Sequence, residues 1–250
     1  MTTNSEPNRT DRWRSPEFAD SWSASNQVRP TDQSIRKRLV SALPFQPGDN
    51  IRVLDVGTGD GALALEVLKM YPNAQLVCHD YSEAMLTHAR QKLAQFSPSV
   101  SFVNSDLKDP KWIHVILGSF DAVVSSIAIH NIVEQSANRN PDRVRTIYAE
   151  IFNLLKPGGC FFNFEFVSPP GPITESIYLK KQIDDNKGKQ RVEIHVDNDS
   201  QNIEDAMRKH LRHPGASLTD LMDWLRQTQF DEVDCLWKDA QSAIIMSFKH

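Results

Sequence analysis

The residues best placed for chemistry are acids and glycines. Val53-Leu54-Asp55-Val56-Gly57-Thr58-Gly59-Asp60-Gly61 is an apolar run feeding a glycine turn that opens a helix. Such a turn lets a ligand lie against the backbone at the end of a strand. Gly57-x-Gly59-x-x-Ala62 also fits the dinucleotide fingerprint. Asp55 separates the two readings. Two residues before the first glycine, a carboxylate would repel a pyrophosphate, whereas it suits a ligand carrying ammonium and sulfonium charges. Asp60 adds to the same sign. Asp80 ends the next apolar run and is placed to accept hydrogen bonds from two ribose hydroxyls. Asp106, in Asn104-Ser105-Asp106-Leu107, is placed to accept from an adenine amino group, or simply to hold a turn.

Alternating strands and helices must position these groups. The run from Ile51 to Val56 reads as a strand, followed by a helix carrying Leu63, Leu65, Leu68 and Met70. Ala74–Cys78 is a second strand and Ser82–Leu93 a second helix. Val100–Val103, Phe120–Ser126 and Cys160–Phe166 are further strands, and Asp142–Leu155 is a helix stopped by Lys156-Pro157-Gly158-Gly159. Before them, Thr31 can cap a helix that begins after Pro30 and carries Ile35, Leu39, Val40 and Leu43. This pattern predicts a doubly wound α/β sheet, mostly parallel and covered on both faces. Residues 1–30 form a flexible arm and cap in which Trp13, Phe18 and Trp22 either pin the arm down or roof a pocket. Residues 31–250 form the main domain. A lid insert at about 167–214, before the sixth strand, is expected to cover the pocket together with the arm; it breaks the alternation with Pro169, Pro170 and Pro172, helical pieces near 174–184 and 203–211, and a very polar stretch between them. A helix, Leu218–Gln227, follows. Phe230–Trp237 and Ala243–Phe248 are joined too tightly for a crossover helix, so they predict an antiparallel hairpin.

Together these motifs resemble the class I S-adenosylmethionine (SAM)-dependent methyltransferases of the small-molecule type. The similarity rests on the Val53–Gly61 turn and on His79-Asp80-Tyr81-Ser82-Glu83-Ala84-Met85-Leu86. It rests as well on Asn104–Leu107, on Phe120-Asp121-Ala122-Val123-Val124-Ser125-Ser126, and on Leu154-Leu155-Lys156-Pro157-Gly158-Gly159, all in register. The resemblance implies a Rossmann-like seven-stranded sheet with an antiparallel last strand, and SAM as cofactor. By carry-over, Asp55, Gly57 and Gly59 meet the methionine end and Asp80 the ribose. Asp106 and Leu107 meet the adenine, with Tyr81 near its face. Ser125 or Ser126 approaches the methionine moiety, and Arg29 is a candidate for the cofactor carboxylate. The implied activity is methyl transfer to nitrogen, oxygen or carbon of a small molecule, with secondary metabolism as one setting.

On the acceptor side, His130 follows the fourth strand and Glu165 closes the fifth, at the sheet end where the methyl group should lie. Neutral imidazole there can take or orient a proton, and the carboxylate can support it or hold an amine. His195, in the insert, is a third candidate in polar surroundings that equally suit plain exposure. The Asn/Asp-Pro-Pro-Tyr/Phe motif of base and glutamine methyltransferases is absent after the fourth strand, and no metal-ligand arrangement is visible.

Composition narrows the classes. With 28 Lys+Arg against 32 Asp+Glu over 250 residues, the net charge of −4 disfavours nucleic acid as the main partner. Mean hydropathy is −0.45 and no apolar run approaches bilayer length, so no membrane partner is expected. The polar Met1–Arg12 segment has no apolar core of a signal, and Cys78, Cys160 and Cys235 are scattered, which predicts a cytoplasmic, reduced protein. Two alternatives remain: an RNA-modifying SAM enzyme using Lys180, Lys181, Lys187, Lys189 and Arg191, and a non-catalytic SAM-fold binding protein.

Overall fold

The computed structural model describes residues 11–27, 30–134, 141–186 and 203–250. A single turn, Asp11–Arg14, and helix α1 (Pro16–Gln27) make the arm, followed by α2 (Pro30–Ser41). The alternation then runs β1 (Arg52–Val56), α3 (Ala62–Met70), β2 (Gln75–Asp80), α4 (Glu83–Lys92), β3 (Val100–Asn104), β4 (Phe120–Ser126), α5 (His130–Glu134), α6 (Asp142–Leu154) and β5 (Leu155–Phe166). The remaining elements are α7 (Pro172–Asn186), α8 (Ile203–Arg212), α9 (Leu218–Gln227), β6 (Val233–Asp239) and β7 (Ser242–Phe248). All seven strands join one sheet in the order β3-β2-β1-β4-β5-β7-β6. The first five are parallel, and β7 runs antiparallel to both β5 and β6. The expected architecture, its closing hairpin included, is present.

Strand alternation divides the core between the two faces. Leu54, Val56, Val123 and Phe161 pack with Tyr148, Trp224 and Leu225. Val53, Ala122, Phe162 and Phe164 pack with Ile35, Leu39, Leu63 and Val67. Neighbouring residues of one strand therefore serve opposite cores, the period expected of a sheet buried on both sides. Ser82 caps α4 by accepting from the Met85 N–H, and Ser217 and Asp220 form a reciprocal capping box on α9.

Several boundaries differ from the sequence reading. Helix α2 includes Pro30, so Thr31 stands inside its first turn rather than at the cap; proline suits a first helical position because its missing N–H would have no partner. Strand β5 begins at Leu155, five residues early, because the chain pairs with Phe120 before a register shift carries it past the glycines. Phe230 lies outside β6 and is buried against Phe152 and Phe161 instead. The sequence reading missed α5, a helix only five residues long.

The insert holds its own small core of Tyr178, Leu179, Met207 and Leu211 between α7 and α8. Glu175 of α7 accepts from Arg208 at 2.9 Å and Arg212 at 2.5 Å, and both arginines hold its carboxyl below the usual range. Lys238 to Tyr178, and Gln182 to Gln241 at 3.3 Å, tie the pair to the β6–β7 turn. Of the basic run, Lys181 pairs with Asp239 at 3.4 Å, and Lys187, Lys189 and Arg191 lie outside the described residues. Among the described residues, no helix is long and apolar enough to cross a membrane.

This separate core generates a prediction. Leu211 is fully buried, so Leu211→Ala costs about 2–5 kcal/mol within a cluster of four buried side chains among the described residues. Hydrogen exchange should lose protection in α7 and α8 while the sheet keeps its own. Uniform loss of protection across β1, β4 and β5 would refute the separation.

Candidate active site

Strand order reverses between β1 and β4, and the crevice at their carboxyl ends is where an open α/β sheet binds ligands. A cleft with about 940 Å³ of empty space, its open mouth included, occupies that place. Its walls include Asp55, Gly57, Gly59, Asp80, Tyr81, Asp106 and Leu107, seven of the residues singled out in the sequence.

The glycine turn is forced on two counts. Gly57 has φ +68°, and a Cβ there would stand 2.3 Å from the Ala128 Cβ, so the turn after β4 presses directly on it. Gly59 has φ +55°, and its N–H donates to Asp80 Oδ2 at 2.9 Å. The Ser82 N–H donates to Asp80 Oδ1 at 2.9 Å. Two backbone donors thus fix the Asp80 carboxylate, each oxygen keeping capacity for a further hydrogen bond. Burial pushes Asp80 up to about 6, against the N–H groups of Ser82, Gly59 and Tyr81 that lower it.

Asp55 is fully buried at the end of β1. The Thr58 hydroxyl donates to its Oδ2 at 2.7 Å, while Oδ1 has no partner within hydrogen-bond geometry. Burial drives the group up to about 7; Thr58 opposes this, Asp80 adds to it, and the Arg36 charge opposes it. An orphaned carboxylate oxygen beside a cleft fits a cationic donor and would reject a phosphate. The observed groups therefore fit a cofactor with an ammonium and a nucleoside.

Asp106 does two things at once. Its Oδ1 accepts from the Lys108 N–H at 2.9 Å, making a turn, and Oδ2 stands 3.6 Å from Arg14 of the arm. Arg14 also lies 5.4 Å above the Tyr81 ring. The arm is tied down at three more points: the Ser82 hydroxyl donates to the Trp13 carbonyl, Asp20 pairs with His88 at 2.8 Å, and Ser23 donates to Asp60 at 3.3 Å. Trp13 and Trp22, edge to face at 4.9 Å, form part of the cleft wall. Described residues 167–186 and 203–214 do not line this cleft, and residues 187–202 of the insert lie outside the described residues.

His130 and Glu165 come together as a pair. Glu165 Oε2 accepts from the His130 N–H at 3.1 Å, and Oε1 lies 2.5 Å from His130 Nδ1. Both are buried, and they border a smaller void of about 200 Å³ with Tyr148, Phe166 and Pro214 rather than the wall of the main cleft. His130 stands between Ile129 and the cleft-lining Asn131. Ser125 is placed away from the cleft: its hydroxyl donates to the Val56 carbonyl at 2.9 Å inside the sheet, and Ser126 lines the cleft in its stead. The period of two in β4 decides which serine faces outward. Arg29 and His195 lie outside the described residues.

The sequence reading missed Arg36, Thr58, Ile127 and Asn131, all on the cleft wall. Arg36 carried a signal, since it falls three and four residues before the core positions Leu39 and Val40, inside an apolar stripe. Ile127 carried none: a β-branched residue at φ +55° runs against its own preference.

A seven-stranded sheet of this order, with a cleft and paired strand-end acids at its switch point, is a Rossmann-like architecture. Residues 53–159 match the family described as a methyltransferase domain. The chain is 30% identical over 148 residues to the ubiquinone/menaquinone biosynthesis C-methyltransferase UbiE of Geobacter sulfurreducens, covering 59% of this chain and 53% of that one. It is 33% identical over 152 residues to the demethylmenaquinone methyltransferase of Clavibacter sepedonicus, covering 60% and 55%. The alignment thus spans about half the length of these relatives. In fold, it is similar to an O-methyltransferase family protein of Burkholderia thailandensis (TM-score 0.65, 12% identity, 96% of this chain and 62% of that one). It is also similar to human N-acetylserotonin methyltransferase in complex with SAM (TM-score 0.61, 18% identity, 98% and 59%).

Asp55 sets a pH dependence. Its folded value of about 7 lies above the ~3.9 of an unfolded aspartate, so between roughly pH 4 and 7 the native state holds the extra proton. Its contribution to stability is therefore present below pH 4 and lost as pH rises to 7. Asp55→Asn should gain on the wild type by a few kcal/mol, on the order set by that shift, across this window in denaturant unfolding. A difference between the two proteins that is flat from pH 4 to 8 would contradict the desolvation argument.

Proposed function

We propose that the cleft binds SAM and that the chain transfers its methyl group to a small-molecule acceptor. The observation that carries this reading is the orphaned, buried Oδ1 of Asp55 beside an Asp80 carboxylate already aimed by two backbone donors. Asp55 holds the ammonium of the cofactor, Asp80 the ribose diol, and Asp106 the adenine amino group, with Leu107 and Tyr81 beside the ring. When bound, the cofactor supplies a sulfonium-activated methyl group open to in-line displacement. The arm, with Trp13 and Trp22, excludes water from that line. The names of the curated relatives speak of quinone biosynthesis, and their chemistry supports an acceptor of small-molecule size here.

His130 handles the acceptor's proton where the nucleophile must lose one. With Nδ1–H donating to Glu165, the neutral tautomer presents Nε2 as a base; Nε2 makes no hydrogen bond among the described residues. Glu165 orients the ring and stabilises the imidazolium that forms. The acceptor then lies against the Ile127–Ile132 turn, with its reacting atom toward His130.

Titration tests the cofactor and turnover tests the base. S-adenosylhomocysteine should bind in calorimetry and NAD should not, and Asp80→Ala should weaken binding about ten- to a hundredfold. With labelled SAM and a panel of phenols, quinols and amines, His130→Ala and Glu165→Gln should lower turnover by about ten- to a thousandfold at unchanged S-adenosylhomocysteine affinity. Wild-type rates in both variants would remove the pair from the chemistry.

A further inference from the structure

We propose that Arg14 is a resident stand-in for the nucleobase: the arm's guanidinium occupies the place beside Tyr81 and Asp106 and competes with the cofactor for it. The proposal gives the arm a regulatory role beyond the SAM reading, and it rests on that reading.

The starting point is Asp106. Its Oδ1 is committed to the Lys108 N–H at 2.9 Å, which leaves Oδ2 for a donor from outside the turn. Arg14 Nη2 stands 3.6 Å from that Oδ2, and Arg14 Cζ lies 5.4 Å from the centre of the Tyr81 ring. Tyr81 and Asp106 both line the cleft, and Arg14, more than half exposed, reaches them from its outer side. A guanidinium is planar, stacks on aromatic rings and donates N–H groups to carboxylates. An adenine ring is planar too, and its exocyclic amine donates. One side chain therefore makes, with the same two residues, both contacts that the proposed nucleobase would make. A base donating to Oδ2 beside Tyr81 falls in the space that the guanidinium fills.

Local structure fixes Arg14 there. The Trp13 carbonyl accepts from the hydroxyl of Ser82, the neighbour of Tyr81, and so anchors the chain one residue before Arg14. One residue after it, Ser15 caps α1: its hydroxyl accepts from the Phe18 N–H at 3.3 Å, and Pro16 opens the helix. Asp20 with His88 and Ser23 with Asp60 hold α1 itself. Arg14 thus projects from a short link pinned on both sides. The contact it makes is nevertheless weak enough to yield, being an exposed ion pair with one cation–π contact. A cofactor that meets Asp55, Asp80 and Asp106 together displaces it. The arm therefore lowers apparent affinity by a modest factor without closing the cleft, and its charge makes that factor salt-dependent.

Calorimetry with S-adenosylhomocysteine and with adenosine reads this factor. In Arg14→Ala, affinity for both should rise about three- to tenfold, the size of an exposed ion pair plus a cation–π contact. Arg14→Gln, which keeps length without charge, should move the same way. In an Asp106→Asn background the gain should shrink, because the ion pair is already gone. Adenosine is neutral, so added salt should tighten its binding to the wild type and leave Arg14→Ala unchanged. Unchanged or weaker binding in Arg14→Ala overturns the proposal, since it would make Arg14 idle or a clamp on the base. A full gain kept in the Asp106→Asn background also overturns it. Absence of binding of either ligand to both the wild type and Arg14→Ala would instead refute the SAM reading itself.

Discussion

The costliest feature of this fold is a carboxylate with no exposed surface, Asp55, at the end of the first strand. Burial of such a group is tolerated only where partners compensate, and here they are incomplete: one hydroxyl from Thr58, the Ala64 backbone N–H and the charge of Arg36 oppose the cost, while Oδ1 has no partner within hydrogen-bond geometry. A second buried acid, Asp80, stands at the end of the neighbouring strand and raises the cost further. The cleft therefore holds unfavourable negative charge when empty. A cationic ligand relieves it, which makes the same feature destabilising in the free protein and favourable in the complex. The glycine turn follows from this constraint, since the backbone must pass closely enough for the Gly59 N–H to reach Asp80.

The turn after β4 is the other side of the same constraint. Ala128 approaches Gly57 so closely that only a glycine fits, and Ile127 adopts φ +55° to make the approach. A β-branched residue in that region persists only when its surroundings over-determine it. The Ile127 N–H is held by the Phe164 carbonyl at 2.7 Å, and Glu165 holds the His130 N–H three residues on. Glu165 also accepts from the Phe166 N–H at 3.0 Å. The carboxylate is thus a brace for the strained turn as well as the partner of the imidazole. A strained turn on the cleft wall is a place where the fold sacrifices local preference to shape that wall.

Legibility of the sequence follows from how local each signal is. The parallel sheet, its closing hairpin and the strand-end acids are local: apolar runs of period two, glycines, and acids at fixed offsets. Asp55, Gly57, Gly59, Asp80, Tyr81, Asp106 and Leu107 accordingly meet in one cleft. The choice between Ser125 and Ser126 depends on the phase of β4 against its neighbours, which is a property of the sheet and not of the tripeptide. Arg36 belongs to a helix that reaches the cleft only through tertiary packing. The backbone of Ile127 is set by the Phe164 carbonyl and by Gly57, residues distant in sequence. For His130 and Glu165 the pairing was legible from their positions after adjacent strands, while their burial away from the main cleft was not.

The arm and the insert look alike in sequence, both polar and both joined to the sheet's ligand-binding end, but they differ in what they grip. Three of the arm's described ties fall on or beside residues proposed to hold the cofactor: Arg14 on Asp106 and Tyr81, Trp13 on Ser82, Ser23 on Asp60; a fourth, Asp20 with His88, grips α4. Asp60 is itself paired with Lys92 at 2.5 Å, so α1 reaches through it to α4. A ligand that draws on Asp106 must therefore share that carboxylate with the arm, and arm position and ligand occupancy become linked quantities. The insert is anchored differently, through its own core and through the β6–β7 turn, with Ser168 bonded to the Ala216 carbonyl at its base. Its near edge closes the void beside His130 and Glu165 through Pro214. On the proposed reading, the cofactor end of the cleft is tied to one polar segment, and the His130–Glu165 pair to the neighbourhood of the other.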